Sequence, residues 1–402
     1  MIKKFKYPLL SNAFSKSDIS CGIKVLKSKR ITMSKITKNF EKQFAKKIGC
    51  KYALMTNSGS SANLLAISSI VNPLFKKKLK ARDEVIIPAV CWSTSLWPIV
   101  QNNLKPVFVD VELDTFNMSI ESLKKKITSR TRAIMCVHVL GTSTNMNQIQ
   151  KLIKNKKILL IEDTCESLGA KFNNKYLGTF GEFGTFSFYY SHQITSGEGG
   201  MIVCNNSYNY NILKSLRSHG WSRETNFHSF YKKKFKKMDD RFLFINSGYN
   251  LRPTEVQAAI AQNQFKRLDN FINIRIKNRN KIIETIKKNP KWDDQFKFVN
   301  QSKRVSPSWF GLPIIINIKY LNKKKKFLQY LTKIGIENRP ILSGNFTNQP
   351  STQLYKLNKD GFIFSNAEKI ENLGFFIGLH TNKISNSMAK YISNNLLKIT
   401  EL

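Results

Sequence analysis

Phe183-Gly184-Thr185-Phe186-Ser187-Phe188-Tyr189-Tyr190-Ser191-His192-Gln193-Ile194-Thr195-Ser196-Gly197-Glu198-Gly199-Gly200-Met201-Ile202-Val203 is the stretch whose reading decides the fold. Its ends are apolar and strand-like, Thr185 to Tyr190 and Gly200 to Cys204. A polar, glycine-rich crossing that carries His192 joins them. The chain holds 66 lysines and arginines, yet neither type occurs between 176 and 213. Central strands exclude charge, so the gap marks the middle of a buried sheet. Burial alone does not explain an imidazole between Ser191 and Gln193, and His192 becomes the first candidate for chemistry.

The 402 residues, 41% of them hydrophobic, can bury two domains, or one large domain with an appendage. No apolar run reaches the roughly 18 residues of a membrane helix. The basic start, Met1 to Pro8, lacks a signal-peptide core. A soluble, cytoplasmic protein without a membrane partner is expected. The six cysteines form no Cys-x-x-Cys pair and read as buried free thiols, with no metal site. A net charge of +40 suggests anionic partners. The lysines are spread along the whole chain, however, and their runs at 76–78, 232–234 and 323–326 read as solvated faces. With no aromatic-interleaved platform or helix-turn-helix beside them, nucleic acid is not expected as a partner. A basic surface can still steer a nucleotide diphosphate.

Three more stretches frame the histidine. Tyr52 to Met55 reads as a strand, Thr56-Asn57-Ser58-Gly59-Ser60-Ser61-Ala62-Asn63 as a turn, and about Ala62 to Val71 as a helix. Strand, Gly/Ser turn and helix make an anion site, because free backbone N–H groups and the helix dipole face the ligand; the same pattern also serves as an ordinary capped helix start. Ile158 to Ile161 deliver Glu162 and Asp163 to the carboxyl end of a strand, where open α/β sheets bind ligands. Glu166 falls one helical turn on, so Asp163 also reads as an N-cap with a capping-box-like partner. Ser247-Gly248-Tyr249-Asn250-Leu251-Arg252-Pro253 leads into a helix expected to run to about Lys287, with Pro253 in its first turn. Residues 224–244 read as a basic, aromatic loop. Trp92 opens a helix after the strand Glu84 to Pro88. His138 heads the Gly141-Thr142 turn, as readily structural as functional. From 265 onward helices and short strands alternate without Gly-rich turns, which divides the chain into a large domain, 1–264, and a smaller C-terminal one, 265–402.

These strings resemble, over nearly the whole chain, the DegT/DnrJ/EryC1/StrS family of sugar aminotransferases, which depend on pyridoxal 5'-phosphate (PLP). In that family Ser-Phe is followed, after four or so residues, by a Lys that holds PLP covalently, and then by Gly-Glu-Gly-Gly. Here the Lys position is His192, a replacement shared with the sugar 3-dehydratase branch. The resemblance implies an aspartate-aminotransferase-like α/β fold. Its large α/β/α domain would bind the cofactor on a mostly parallel sheet, and a smaller α/β domain would follow. It implies that Ser58, Gly59, Ser60 and Ser187 hold the cofactor and that Trp92 covers its ring. Asp163 would meet the ring nitrogen and keep the ring an electron sink, with Glu166 near the ring hydroxyl. Asn250 would reach the phosphate of a neighbouring subunit, making a homodimer with shared sites. His219, Arg339, Asn345 and Phe346 would contact substrate.

The implied reaction follows from the histidine. Imidazole cannot hold PLP covalently as an amine does, so the cofactor would be bound non-covalently and rest as pyridoxamine 5'-phosphate (PMP), regenerated by L-glutamate. His192 would act as a base with a pKa near neutrality. The C3 hydroxyl would leave a nucleotide-linked 4-keto-6-deoxyhexose, GDP-linked by resemblance, on the way to 3,6-dideoxysugars of surface polysaccharide. A related histidine-bearing branch adds an iron–sulfur cluster, which needs about four thiolates. This chain has no cysteine beyond Cys204, so no cluster is expected. Two other readings stay open: a sugar aminotransferase that tolerates His192, and a catalytically silent cofactor-binding protein.

Overall fold

The computed structural model describes residues 5–402 apart from 12, 359 and 360. Its strands are β1 (Tyr52–Thr56), β2 (Glu84–Pro88), β3 (Lys105–Val109), β4 (Thr131–Val137), β5 (Leu159–Asp163), β6 (Lys171–Phe172), β7 (Lys175–Tyr176), β8 (Phe183–Ser187), β9 (Gly200–Cys204), β10 (Phe296–Phe298), β11 (Val305–Ser306), β12 (Gly311–Ile316), β13 (Asn338–Arg339) and β14 (Gly374–Gly378). The main sheet has the order β1-β9-β8-β5-β4-β2-β3. Only β9 runs against the rest, pairing antiparallel with both β1 and β8. The carboxyl ends of the other six strands therefore share one edge. Every residue of β2, β5, β8 and β9 is buried, as expected of strands covered on both faces.

Gly200 pairs with Thr56 on one side and Ser187 on the other, and Asp163 pairs with Thr185. This register brings the Gly/Ser turn, Ser187 and Asp163 to the same edge. A Cβ on Gly200 would stand 2.3 Å from the Ser58 carbonyl oxygen, so only glycine lets β9 pass the turn. Below the edge, Phe40, Phe44, Phe186, Phe188 and Phe265 make one buried aromatic cluster. Each such side chain contributes on the order of 1.5–3 kcal/mol by leaving water.

A second sheet, β10-β12-β14-β13, is antiparallel throughout. The small strand β11 from that part of the chain pairs instead with β6 of the ribbon β11-β6-β7. Several local expectations shift. The helix after Pro253 begins at Glu255 behind a Thr254–Gln257 capping box, so Pro253 lies outside it. It stops at Phe265, and a separate helix runs from Leu268 to Lys287. Residues 224–244 are not all loop, since His228–Lys234 is helical with no buried residue. Apolar strand structure ends at Ser187 rather than Tyr190.

Candidate active site

A cleft of about 570 Å³ opens at the carboxyl edge of the main sheet. Ser58, Gly59, Ser60, Trp92, Asp163, Glu166, Ser187, His192 and Arg339 all line it, as do Asn63, His138, Cys165, Glu198 and Phe310. No lysine lines it.

The turn after β1 builds an anion cradle. Ser58 caps the helix Gly59–Ile70, its hydroxyl accepting from Ser61 N–H at 3.1 Å. Ala62 N–H reaches the Ser58 carbonyl, whereas the N–H groups of Gly59 and Ser60 find no acceptor among the described residues. Two free donors at a helix N-terminus, beside the hydroxyls of Ser60 and Ser187, suit a phosphate. Gly59 is required here, because a Cβ would lie 2.5 Å from that of Ser187 and 3.0 Å from the Cys165 sulfur.

Asp163 is 4% exposed, at the end of β5. Its Oδ2 accepts from Asn63 at 2.7 Å and from the Ser95 hydroxyl at 2.6 Å, and its Oδ1 accepts from Cys165 N–H at 3.1 Å. Three donors fix one carboxylate where a protonated ring nitrogen could meet it. The chain after Asp163 forms turns rather than a helix, so the N-cap alternative does not hold. Glu166 sits in those turns, its Oε2 accepting from Leu140 N–H at 2.9 Å. Burial pushes its carboxyl up to about 8, against the lowering by Leu140 N–H and with help from neighbouring Asp163. The Cys165 thiol is raised well above its ordinary value by burial and by the Asp163 charge.

His192 lies in the loop between β8 and β9, its ring edge-on to Phe310 with centroids 5.2 Å apart. Nδ1 is 2.7 Å from the Cys165 carbonyl oxygen. A carbonyl only accepts, so Nδ1 carries the hydrogen, and the lone pair of the neutral ring sits on Nε2. Nε2 has no partner among the described residues. Burial pushes the His192 pKa down to about 4; the Cys165 contact and Asp163 oppose this, and Arg275 adds to it. The expectation of a value near neutrality is not met.

Four expected residues lie elsewhere. Asn345 is 1% exposed and spends its side chain on Glu368, Thr347 N–H and the Thr347 hydroxyl. Phe346 is buried against Trp97, at 6.2 Å. Neither lines the cleft: both serve the packing of the 341–371 segment. Asn250 and His219 also stay outside it, held together through Arg252, which donates to Asn250 Oδ1 at 3.1 Å and approaches His219 Nε2 at 3.1 Å. Sequence reasoning missed Asn63 and Ser95 as the supports of Asp163. Asn63 closes the quoted turn motif and Ser95 follows Trp92 closely, but only the folded sheet shows that both point at one carboxylate.

A mostly parallel α/β sheet with this cleft at its carboxyl edge defines an enzyme of the PLP-dependent aminotransferase fold. The chain belongs to the DegT/DnrJ/EryC1/StrS aminotransferase family, whose model matches residues 14–396. It is 41% identical over 380 residues to a GDP-4-keto-6-deoxy-D-mannose 3-dehydratase of Escherichia coli O55:H7, covering 93% of this chain and 95% of that one. The E. coli GDP-4-keto-6-deoxy-D-mannose-3-dehydratase with bound hydrated PLP superposes with a TM-score of 0.87 at 38% identity, over 98% of this chain and all of that one. A GDP-4-keto-6-deoxymannose-3-dehydratase with a trapped PLP–glutamate geminal diamine gives a TM-score of 0.86 at 38% identity, over 97% of this chain and all of that one.

Proposed function

We propose that this chain is a PLP/PMP- and glutamate-dependent 3-dehydratase that removes the C3 hydroxyl of GDP-4-keto-6-deoxymannose, in the making of 3,6-dideoxysugars for surface polysaccharide. One observation carries the reading: among the described residues the cleft presents an imidazole with a free Nε2, and no lysine, beside a cofactor-type carboxylate. The family and the relatives' names supply the substrate class.

The residues present fit the cofactor. Gly59 and Ser60 N–H, with the Ser60 and Ser187 hydroxyls, would hold its phosphate at the turn that Ser58 caps, Trp92 would cover the ring, and Asp163 would face the ring nitrogen. Glu166, whose carboxyl is raised to about 8, stands as a neutral acid at pH 7 for the ring hydroxyl. When bound, PMP supplies an amine for the sugar ketone and a conjugated ring that takes up electrons. His192 supplies the proton movements. Its Nδ1–H stays on Cys165, so Nε2 alone takes a proton and then hands it to the departing C3 hydroxyl. Arg339, exposed at the cleft and paired with Glu337 at 2.8 Å, is a contact for the substrate's anionic part.

The protein acts as a homodimer. Asn250 and His219 lie outside their own cleft, on a surface shared with Arg252 and Arg223, and would complete the neighbour's site. No helix among the described residues is long and apolar enough to cross a membrane, and a cytoplasmic location accords with nucleotide-sugar chemistry. The test is the mass of the sugar product formed from GDP-4-keto-6-deoxymannose, PLP and L-glutamate. Loss of the C3 oxygen is expected. Gain of an amine would make the enzyme a transaminase, and an unchanged substrate would make it silent.

A further inference from the structure

Arg275 is a cation in an unlikely place. It lies on the helix Leu268–Lys287, on the face that also buries Leu268, Asn278, Ile282 and Ile286. It is 1% exposed, and among the described residues it forms no salt bridge. Burying a guanidinium without a carboxylate is expensive, and its hydrogen-bond partners have to account for it. Those partners are three backbone carbonyls from two segments. Nη1 donates to Trp309 O and Phe310 O, each at 3.1 Å, and Nη2 donates to His192 O at 3.3 Å. Phe310 is also the residue whose ring packs edge-on against the His192 imidazole. One planar fork thus grips the main chain of the histidine and that of the aromatic holding its ring. Gln193 adds a parallel tie, donating to Ser308 O at 3.0 Å.

We propose that Arg275 is a positioning residue for His192: its fork fixes the imidazole against Phe310 and Cys165. Its unpaired charge adds to burial, the larger cause, in disfavouring a proton on that ring. The geometry needs arginine in particular. A lysine ammonium is a point donor and cannot span three carbonyls on two segments. The charge works in the same direction as burial, since a cation disfavours a second cation nearby. The other groups around His192 are Asp163 at the end of β5, Cys165 and Glu166 from the turn after it, and Tyr189 from its own loop. Tyr7 stands beside Arg275, and Glu198, His138 and Arg339 share the cleft. Asp163 is the one whose charge opposes Arg275.

The role in catalysis rests on His192 being the base, but the electrostatic half does not, and the test separates them. The ring of His192 is followed by NMR against pH in the cofactor-free full chain, its signal assigned by comparison with His192→Asn; with five histidines in all the spectrum is small. Arg275→Met should raise the His192 midpoint, while the burial that remains keeps it below the ordinary histidine value. It should also move the acid limb of the dehydration profile up with it. Arg275→Lys keeps the charge and loses the fork, so its midpoint should stay near that of the parent while dehydration slows about tenfold. A folded Arg275→Met protein with an unmoved midpoint, or equal midpoints in the two variants, overturns the proposal. If Arg275→Met does not fold, Arg275→Lys decides: parental midpoint with slowed dehydration supports the proposal, and parental rate overturns it. A moved midpoint with no dehydration in any form, parent included, would keep the electrostatic role and remove the reaction assigned to His192.

Discussion

The imidazole Nδ1 of His192 lies 2.7 Å from the carbonyl oxygen of Cys165, two residues beyond Asp163. The base and the ring-nitrogen carboxylate proposed above are thereby set by one turn, and moving the turn would move both.

Because the same enclosure pushes the His192 pKa down to about 4, its ring should stay neutral between pH 7 and 5. An ordinary histidine is mostly protonated at pH 5. The folded value lies below the unfolded one, so the folded chain binds this proton less well. The stability associated with a neutral ring is complete above pH 6.5 and is lost as pH falls toward 4. NMR titration of the ring checks this, and a His192 midpoint at 6 or above contradicts it.

Glu166 titrates with the opposite sign. Its carboxyl, raised to about 8, holds its proton more tightly in the folded chain. The stability this gives is complete below about 4.5 and is lost as pH rises through 8. Glu166→Gln keeps an oxygen for Leu140 N–H and has no charge to bury. Relative to the parent it should gain stability from pH 5 to 9, by about 1–3 kcal/mol at the upper end. Urea unfolding of the cofactor-free proteins at pH 5, 7 and 9 measures it; a difference that does not change with pH would refute the assignment.

Gly59→Ala tests the phosphate cradle. Elsewhere in a helix the change would favour the helix by about 1 kcal/mol. Here the new methyl would stand 2.5 Å from the Ser187 Cβ. Turn and strand must part, which should weaken PLP binding at least about tenfold in Kd, near 1.4 kcal/mol. An absorbance titration with PLP reads this directly, and unaltered affinity would move the phosphate elsewhere.

The sheet edge was legible in sequence because its signals are local. Ser58-Gly59-Ser60 needs only a strand before it and a helix after it, and Asp163 needs only the apolar run that delivers it to a strand end. The break between Phe265 and Leu268 was not legible, since no glycine or proline marks it and apolar spacing continues across it. The helix His228–Lys234 escaped because it buries nothing, leaving no periodicity to read. Asn345 and Phe346 sit in a motif-like string, but Glu368 and Trp97, far off in sequence, decide where their side chains point. Arg275 hid among the other basic residues of its helix; its phase with Leu268, Ile282 and Ile286 was the available clue.

The most direct measurement of the central claim is a single-turnover dehydration rate for His192→Asn, loaded with PMP and mixed with GDP-4-keto-6-deoxymannose. Asparagine is polar and close in size, but it has no basic nitrogen to replace Nε2. With cofactor binding and folding unchanged, C3 deoxygenation should fall roughly a hundred- to ten-thousand-fold. A well-folded, cofactor-loaded His192→Asn protein that dehydrates the sugar at the parental rate would contradict the account.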